Sequence, residues 1–255
     1  MLDARLRLDR RLRRTLPALG LAALSSVAWT QSTDGWRRSP TIWEEARRPG
    51  ARSIKGYEEE ARRNPPPEEA LLFAGSATIW MWDLAKWFPE LRTINRGFGG
   101  SMISESTYFA DRIILPHKPS TIVMYAGDND IWLGKSPELT AEHFQAFVDK
   151  THAALPRTRI IFISIRPSIA RWNVVEKFRE ANRLIRQFIE TDPRLFYVDI
   201  DDAMLGPDGK PRPELFIEDQ LHLTDEGYRI WTERLRPVLE KAEADYRAAK
   251  AGEAK

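Results

Sequence analysis

Five short apolar runs separated by stretches of helical periodicity predict an α/β fold, a flavodoxin-like three-layer α/β/α sandwich around a five-stranded parallel sheet. Three observations carry this expectation. The runs are nearly continuous in Ile, Val, Phe and Leu, as in strands buried on both faces. They alternate with helical patterns rather than with hairpin turns. The chain has 255 residues, 42% hydrophobic and 30% charged, enough to bury a large core without help from metal or disulfide.

The elements follow in chain order. Residues 1–28 read as a signal peptide: Arg5, Arg7, Arg10, Arg11, Arg13 and Arg14 precede an apolar run from Leu16 to Ala28, with Ser26-Val27-Ala28 as the cleavage site. As a helix this run reaches only about 20 Å, too short for a stable membrane span. The protein is therefore expected to be exported, to a periplasm or beyond. An uncleaved basic segment resting on a membrane is the alternative, and the paired arginines are compatible with a twin-arginine route. Residues 29–67 form a polar, tryptophan-containing extension closed by Pro65-Pro66-Pro67. The main domain, 68–241, holds strands at Ala70–Ala74, Thr93–Asn95, Thr121–Tyr125, Arg159–Ser164 and Leu195–Asp199. Helices are expected near 79–88, 104–115, 141–154, 172–190 and 225–241, and residues 242–255 form a charged tail rich in Ala, Glu and Lys.

Composition removes several function classes. The chain has no cysteine, hence no disulfide framework, thiolate metal site or cysteine nucleophile. The net charge of +2 owes its sign to the first fourteen residues; without them, 33 of the 39 basic and 35 of the 37 acidic residues remain. No basic field suited to nucleic acid survives. No glycine-rich phosphate cradle leads into a helix, which argues against a nucleotide cofactor. Asp128 and Asp130 are too few for a cation cage, so neither metal nor cofactor is expected.

In a doubly wound sheet, ligands sit beyond the carboxyl ends of the strands. The first strand runs into Gly75-Ser76-Ala77-Thr78, the second into Gly97-Phe98-Gly99-Gly100-Ser101, and the third into Gly127-Asp128-Asn129-Asp130. A later loop reads Asp219-Gln220-Leu221-His222. Asp219, three residues before His222, is placed to accept from one imidazole nitrogen and leave the other as a base toward a hydroxyl. A plainer role for His222 is as a polar residue at the entry of the next helix, with Thr224 capping it. His117, His143 and His152 have no comparable partner and read as surface or packing residues.

Together and in this order, the four loops resemble the signature blocks of the GDSL or SGNH hydrolases, and within them small esterases similar to the platelet-activating-factor acetylhydrolase catalytic subunits and lysophospholipase-like enzymes. The likeness spans about residues 68–240. It implies a serine-type ester hydrolase acting on short acyl esters of a carbohydrate or small lipid, with Asp219 and His222 as base pair. It also implies an oxyanion hole formed by Gly100 and Asn129 with the nucleophile's own N–H. One departure stands out: an ungapped alignment puts Ser76 at the position of the family's aspartate and Ala77 at that of its nucleophilic serine. Three readings follow: Ser76 attacks from a displaced position, Thr78 substitutes, or the fold persists without covalent catalysis, as a binder of a glycan or acyl ligand or through water activated by His222. A serine before a helix is also an ordinary N-cap.

Of the nine tryptophans, Trp80, Trp82, Trp87, Trp132 and Trp172 lie near or just after the strand-end loops. Trp132, three residues after Asn129, is the expected wall of the substrate pocket, whereas Trp80 and Trp87, seven residues apart, suit helix packing. Arg166, Arg171 and Lys177 follow the fourth strand, either as an attraction for an anionic substrate or as a solvated rim.

Overall fold

The computed structural model describes residues 40–45 and 52–253. The expected signal peptide and its cleavage site lie outside those residues. Strands β1 (Leu71–Gly75), β2 (Thr93–Gly97), β3 (Thr121–Tyr125), β4 (Arg159–Ile163) and β5 (Leu195–Val198) pair in parallel, in the order β2-β1-β3-β4-β5. The helices are α1 (Ile54–Arg63), α2 (Ala77–Trp80), α3 (Leu84–Trp87), α4 (Ile103–Ile113), α5 (Asp128–Trp132), α6 (Pro137–Ala154), α7 (Val175–Ile189) and α8 (Asp225–Glu253). This is the expected α/β sandwich.

Alternation along the strands sorts the core into two halves. Leu71, Phe73, Val123, Tyr125, Ile161 and Ile163 enter one cluster with residues of α2, α3 and α8. Leu72, Ala74, Ile122, Met124, Ile160 and Phe162 enter the other with residues of α1, α4, α6 and α7. Because both faces are covered, the strands read in sequence as unbroken apolar runs. On the α8 side Trp82 stands at the centre of an aromatic knot, with ring centroids 5.5 Å from Phe73, 5.7 Å from Phe88, 5.5 Å from Tyr228 and 5.7 Å from Trp231. Such rings bury roughly 150–250 Å² each and dominate the energetics of a core. The single helix expected over 79–88 therefore breaks into two. Trp82 turns inward between them, and the Asp83 carboxylate caps α3 by accepting from the Lys86 N–H at 3.2 Å.

Two expected boundaries shift. The segment anticipated as a charged tail continues α8 to Glu253, with Ala242 and Tyr246 buried. Leu235, Leu239, Ala242 and Tyr246 form an apolar stripe at helical spacing, and the carboxylate of Glu243 accepts from Ser120 at 2.7 Å and Thr121 at 2.6 Å. The abundance of Ala, Glu and Lys hides this stripe. At the other end, α1 belongs to the domain rather than to an extension: Ser53 caps it, Ile54 and Tyr57 enter the core, and the Tyr57 hydroxyl donates to Gly97 O.

The strand order reverses direction between β1 and β3. A crevice opens there beyond the carboxyl ends of the strands, and the candidate site occupies it.

Candidate active site

The first wall of the site is the exit of β1. Gly75 holds φ +129, and a Cβ on it would lie 1.9 Å from Tyr125 O, so the strand end approaches β3 as only glycine permits. The next amide, Ser76 N–H, donates to Tyr125 O at 3.0 Å, and the chain then enters α2. Ser76 sits at the N-cap position, yet its hydroxyl makes no capping bond. Its side chain borders a cavity of about 800 Å³ instead.

The second wall is the exit of β2. Ser101 Oγ and Phe98 N both donate to Gly75 O at 3.0 Å, which stitches this loop to the first. Gly100, at φ +74, lines the cavity, and Trp80 lies over Gly99. The β3 exit is the third wall. Gly127 adopts φ +114 against Ile165, after which Asp128, Asn129 and Asp130 are buried in the first turn of α5. Asn129 Nδ2 donates to Ser101 O at 2.9 Å, and Asp130 accepts from the Ile103 N–H at 3.1 Å, so the second and third walls hold each other.

The fourth wall is the loop before α8. Gln220 takes a left-handed φ of +57, and the turn brings His222 Nδ1 to 2.5 Å from Asp219 Oδ2. The other carboxylate oxygen accepts the backbone N–H groups of Leu221 and His222 at 2.9 and 2.8 Å. Desolvation pushes the Asp219 carboxyl up, but the hydrogen bonds from the His222 ring and from the two backbone N–H groups outweigh it and hold the group at about 2. With Asp219 ionised, Nδ1 is the donor, and Nε2 is the ring nitrogen left with a lone pair. Asp219, His222, Ser76, Ala77, Thr78, Gly100 and Asn129 all border the one cavity. A base, an orienting carboxylate and amide donors around one space can accept a proton and steady a developing oxyanion.

A family model for the GDSL-like lipase/acylhydrolase family matches residues 72–230, more than half of the chain. The chain belongs to that family. Its place among the GDSL-type ester hydrolases is consistent with its relatives. It is 25% identical over 179 residues to the human platelet-activating factor acetylhydrolase IB subunit alpha1, covering 68% of this chain and 76% of that one. A solved structure described as a platelet activating factor from Streptococcus pneumonia superposes with TM-score 0.66 at 20% identity, covering 73% of this chain and 90% of that one. A GDSL-like lipase from Bacteroides thetaiotaomicron superposes with TM-score 0.63 at 20% identity, covering 74% and 100%.

Other expected residues fare differently. Trp132 does not border the cavity; it is 47% exposed and lies 5.5 Å from the Arg171 guanidinium, because α5 turns its indole outward. Among the described residues, the aromatic walls are Trp43 and Trp80. Of the three cations expected to matter after β4, Lys177 is exposed on the surface, whereas Arg166 and Arg171 are buried and border the cavity. Arg166 Nη2 donates to Leu221 O and, at 3.4 Å, to Thr78 Oγ1, which engages the second candidate hydroxyl. Arg171 donates from Nη1 to Asp128 Oδ2 at 2.8 Å and from Nη2 to Asn129 Oδ1 at 2.9 Å. The sequence carried a weak signal for these roles, two arginines five residues apart just beyond a strand end. His143 also has a carboxylate after all, Asp130 at 3.6 Å, in a cluster with Lys135.

Proposed function

We propose that the protein hydrolyses short acyl esters, with Ser76 as nucleophile, His222 as general acid and base, and Asp219 as its orienting carboxylate. The observation that carries this reading is that the Asp219–His222 pair borders the same cavity as the Ser76 hydroxyl, which is not engaged in capping, and the Asn129 amide. In the first step the Ser76 hydroxyl proton passes to His222 Nε2 while Oγ bonds to the ester carbonyl carbon. The resulting oxyanion is held by Gly100 N–H and by the Asn129 Nδ2 proton not donated to Ser101. The alcohol leaves with the proton from His222, and water activated by the same nitrogen releases the acid. Met81 and Ile217, 41% and 39% exposed, border the cavity with Trp43 and Trp80. These surfaces favour an acylated carbohydrate or a small lipid as substrate. Export of the protein rests on the charge and apolar order of its first 28 residues.

A second reading is favoured by one specific contact. The Ser76 N–H is engaged by Tyr125 O, so it cannot join an oxyanion hole, while the first-turn N–H of Ala77 has no intrahelical acceptor. In that reading the attacking position belongs to Ala77, and the site binds an acyl ligand or lets His222 activate water. Treatment with a fluorophosphonate followed by peptide mass spectrometry separates the two. An adduct on Ser76 that disappears in His222→Ala supports the displaced serine. No adduct on the natural protein, together with labelling of Ala77→Ser, overturns it.

A further inference from the structure

The segment between β4 and α7 contributes none of the expected catalytic groups, yet it touches both halves of the site. Ala170 N donates to Gln220 O at 3.1 Å in the Asp219–His222 loop, and Arg171 reaches the Asn129 side of the cavity. Three hydrogen bonds there close a ring: Arg171 to Asp128 Oδ2, Arg171 to Asn129 Oδ1, and Asn129 N–H to Asp128 Oδ1 at 2.9 Å.

We propose that Arg171 is a positioning residue for the oxyanion step, fixing the Asn129 amide so that its NH2 faces the cavity and its oxygen does not. This rests on the hydrolase reading above. A guanidinium can only donate and a backbone carbonyl can only accept, so Arg171 at Oδ1 and Ser101 O at Nδ2 define one orientation. Rotating the amide by half a turn would set donor against donor at Arg171 and acceptor against acceptor at Ser101. The guanidinium also withdraws electron density through the amide and strengthens its remaining N–H as a donor. Asp128 neutralises the Arg171 charge at 2.8 Å and the Trp132 ring covers it at 5.5 Å, so Arg171 is a poor counter-ion for an anionic substrate.

The test is a double-mutant cycle on an activated acetate ester. Arg171→Met is expected to lower kcat by about 30-fold with KM within about 2-fold, and to lower it by less than about 3-fold further in the Asn129→Ala background. Arg171→Lys, which keeps the charge but not the two-pronged fork, is expected to stay near the Met variant. Equal losses in both backgrounds, a rise in KM at constant kcat, or full recovery by Lys each overturn the proposal. Removing one member of a buried ion pair can unfold the chain, so Asp128→Asn with Arg171→Met removes both charges together and is expected to behave as Arg171→Met does.

A readout independent of turnover is the Asn129 side-chain NH2 pair in 1H–15N spectra, identified by its loss in Asn129→Ala. Two resolved, exchange-protected signals in the natural protein that broaden in Arg171→Met support the clamp. Unchanged signals overturn it. If no ester is turned over and the signals still respond, the hydrolase reading fails while the clamp stands.

Discussion

The Asp219–His222 loop and the exit of β1 face each other across one cavity, and they are built on opposite terms. In the loop, one carboxylate gathers an imidazole and two backbone amides, and the bonds lie near the surface, largely apart from the core. At the β1 exit the backbone is wedged between two neighbouring strands, and the chemistry hangs on which single side chain follows Gly75. The first region can lose its function and keep its fold. The second joins the two, with Ser76 and Ala77 directly after Gly75.

That contrast can be broken most directly at His222. His222→Ala is expected to lower kcat/KM by about 10³–10⁴-fold while Tm moves by less than about 2 °C. A large fall in Tm would mean that the loop also supports the fold. Gly75→Ala is the mirror experiment: a Cβ 1.9 Å from Tyr125 O at a positive φ is expected to destabilise by about 3–5 kcal/mol, read by denaturant unfolding. A change below about 1 kcal/mol would show that the strand exit has slack.

A smaller effect sharpens the picture behind β2. Burial, and then the positive charge of Arg96, lower the His117 imidazole to about 4 from its ordinary 6.5, and in the folded chain its Nε2 accepts from Arg96 Nε at 3.2 Å. Between those two pH values the unfolded chain binds the extra proton, so stability falls as pH falls from about 6.5 to about 4, by about 2–3 kcal/mol in all. Unfolding free energies across that window check it, and His117→Gln is expected to remove this part of the slope. The smallest expected effect lies at Trp132. Trp132→Ala removes a cation–π contact of about 0.5–1 kcal/mol and leaves KM within about 2-fold. A KM several-fold higher would return Trp132 to the pocket wall.

What could be read from the sequence follows the range of the interactions. Strands buried on both faces announce themselves as apolar runs, and Asp219 and His222 declare their pairing because they are three residues apart. Arg171 gave only a weak signal, since its partners lie 42 and 43 residues away and an arginine beyond a strand end looks like a solvated rim. Trp132 was misplaced because nearness in sequence to Asn129 does not fix the direction of a side chain on a five-residue helix. The nucleophile is the hardest case, for a shift of one residue turns on the local path of the backbone.

The docking of α8 bears on how the chain reaches this state at all. Tyr228 bonds to Thr78 O across 150 residues, and Lys250 bonds to Glu69 across 181. Among the described residues these contacts close long loops, whose entropic cost must be met before they stabilise anything. The environment of the first strand is thus completed by a helix far along the chain. Until α8 settles, one face of the sheet, Phe73, Tyr125 and Ile163 included, lacks much of its cover. Docking of α8 covers that face and bonds to Thr78 at the border of the cavity, so sheet and site share one support.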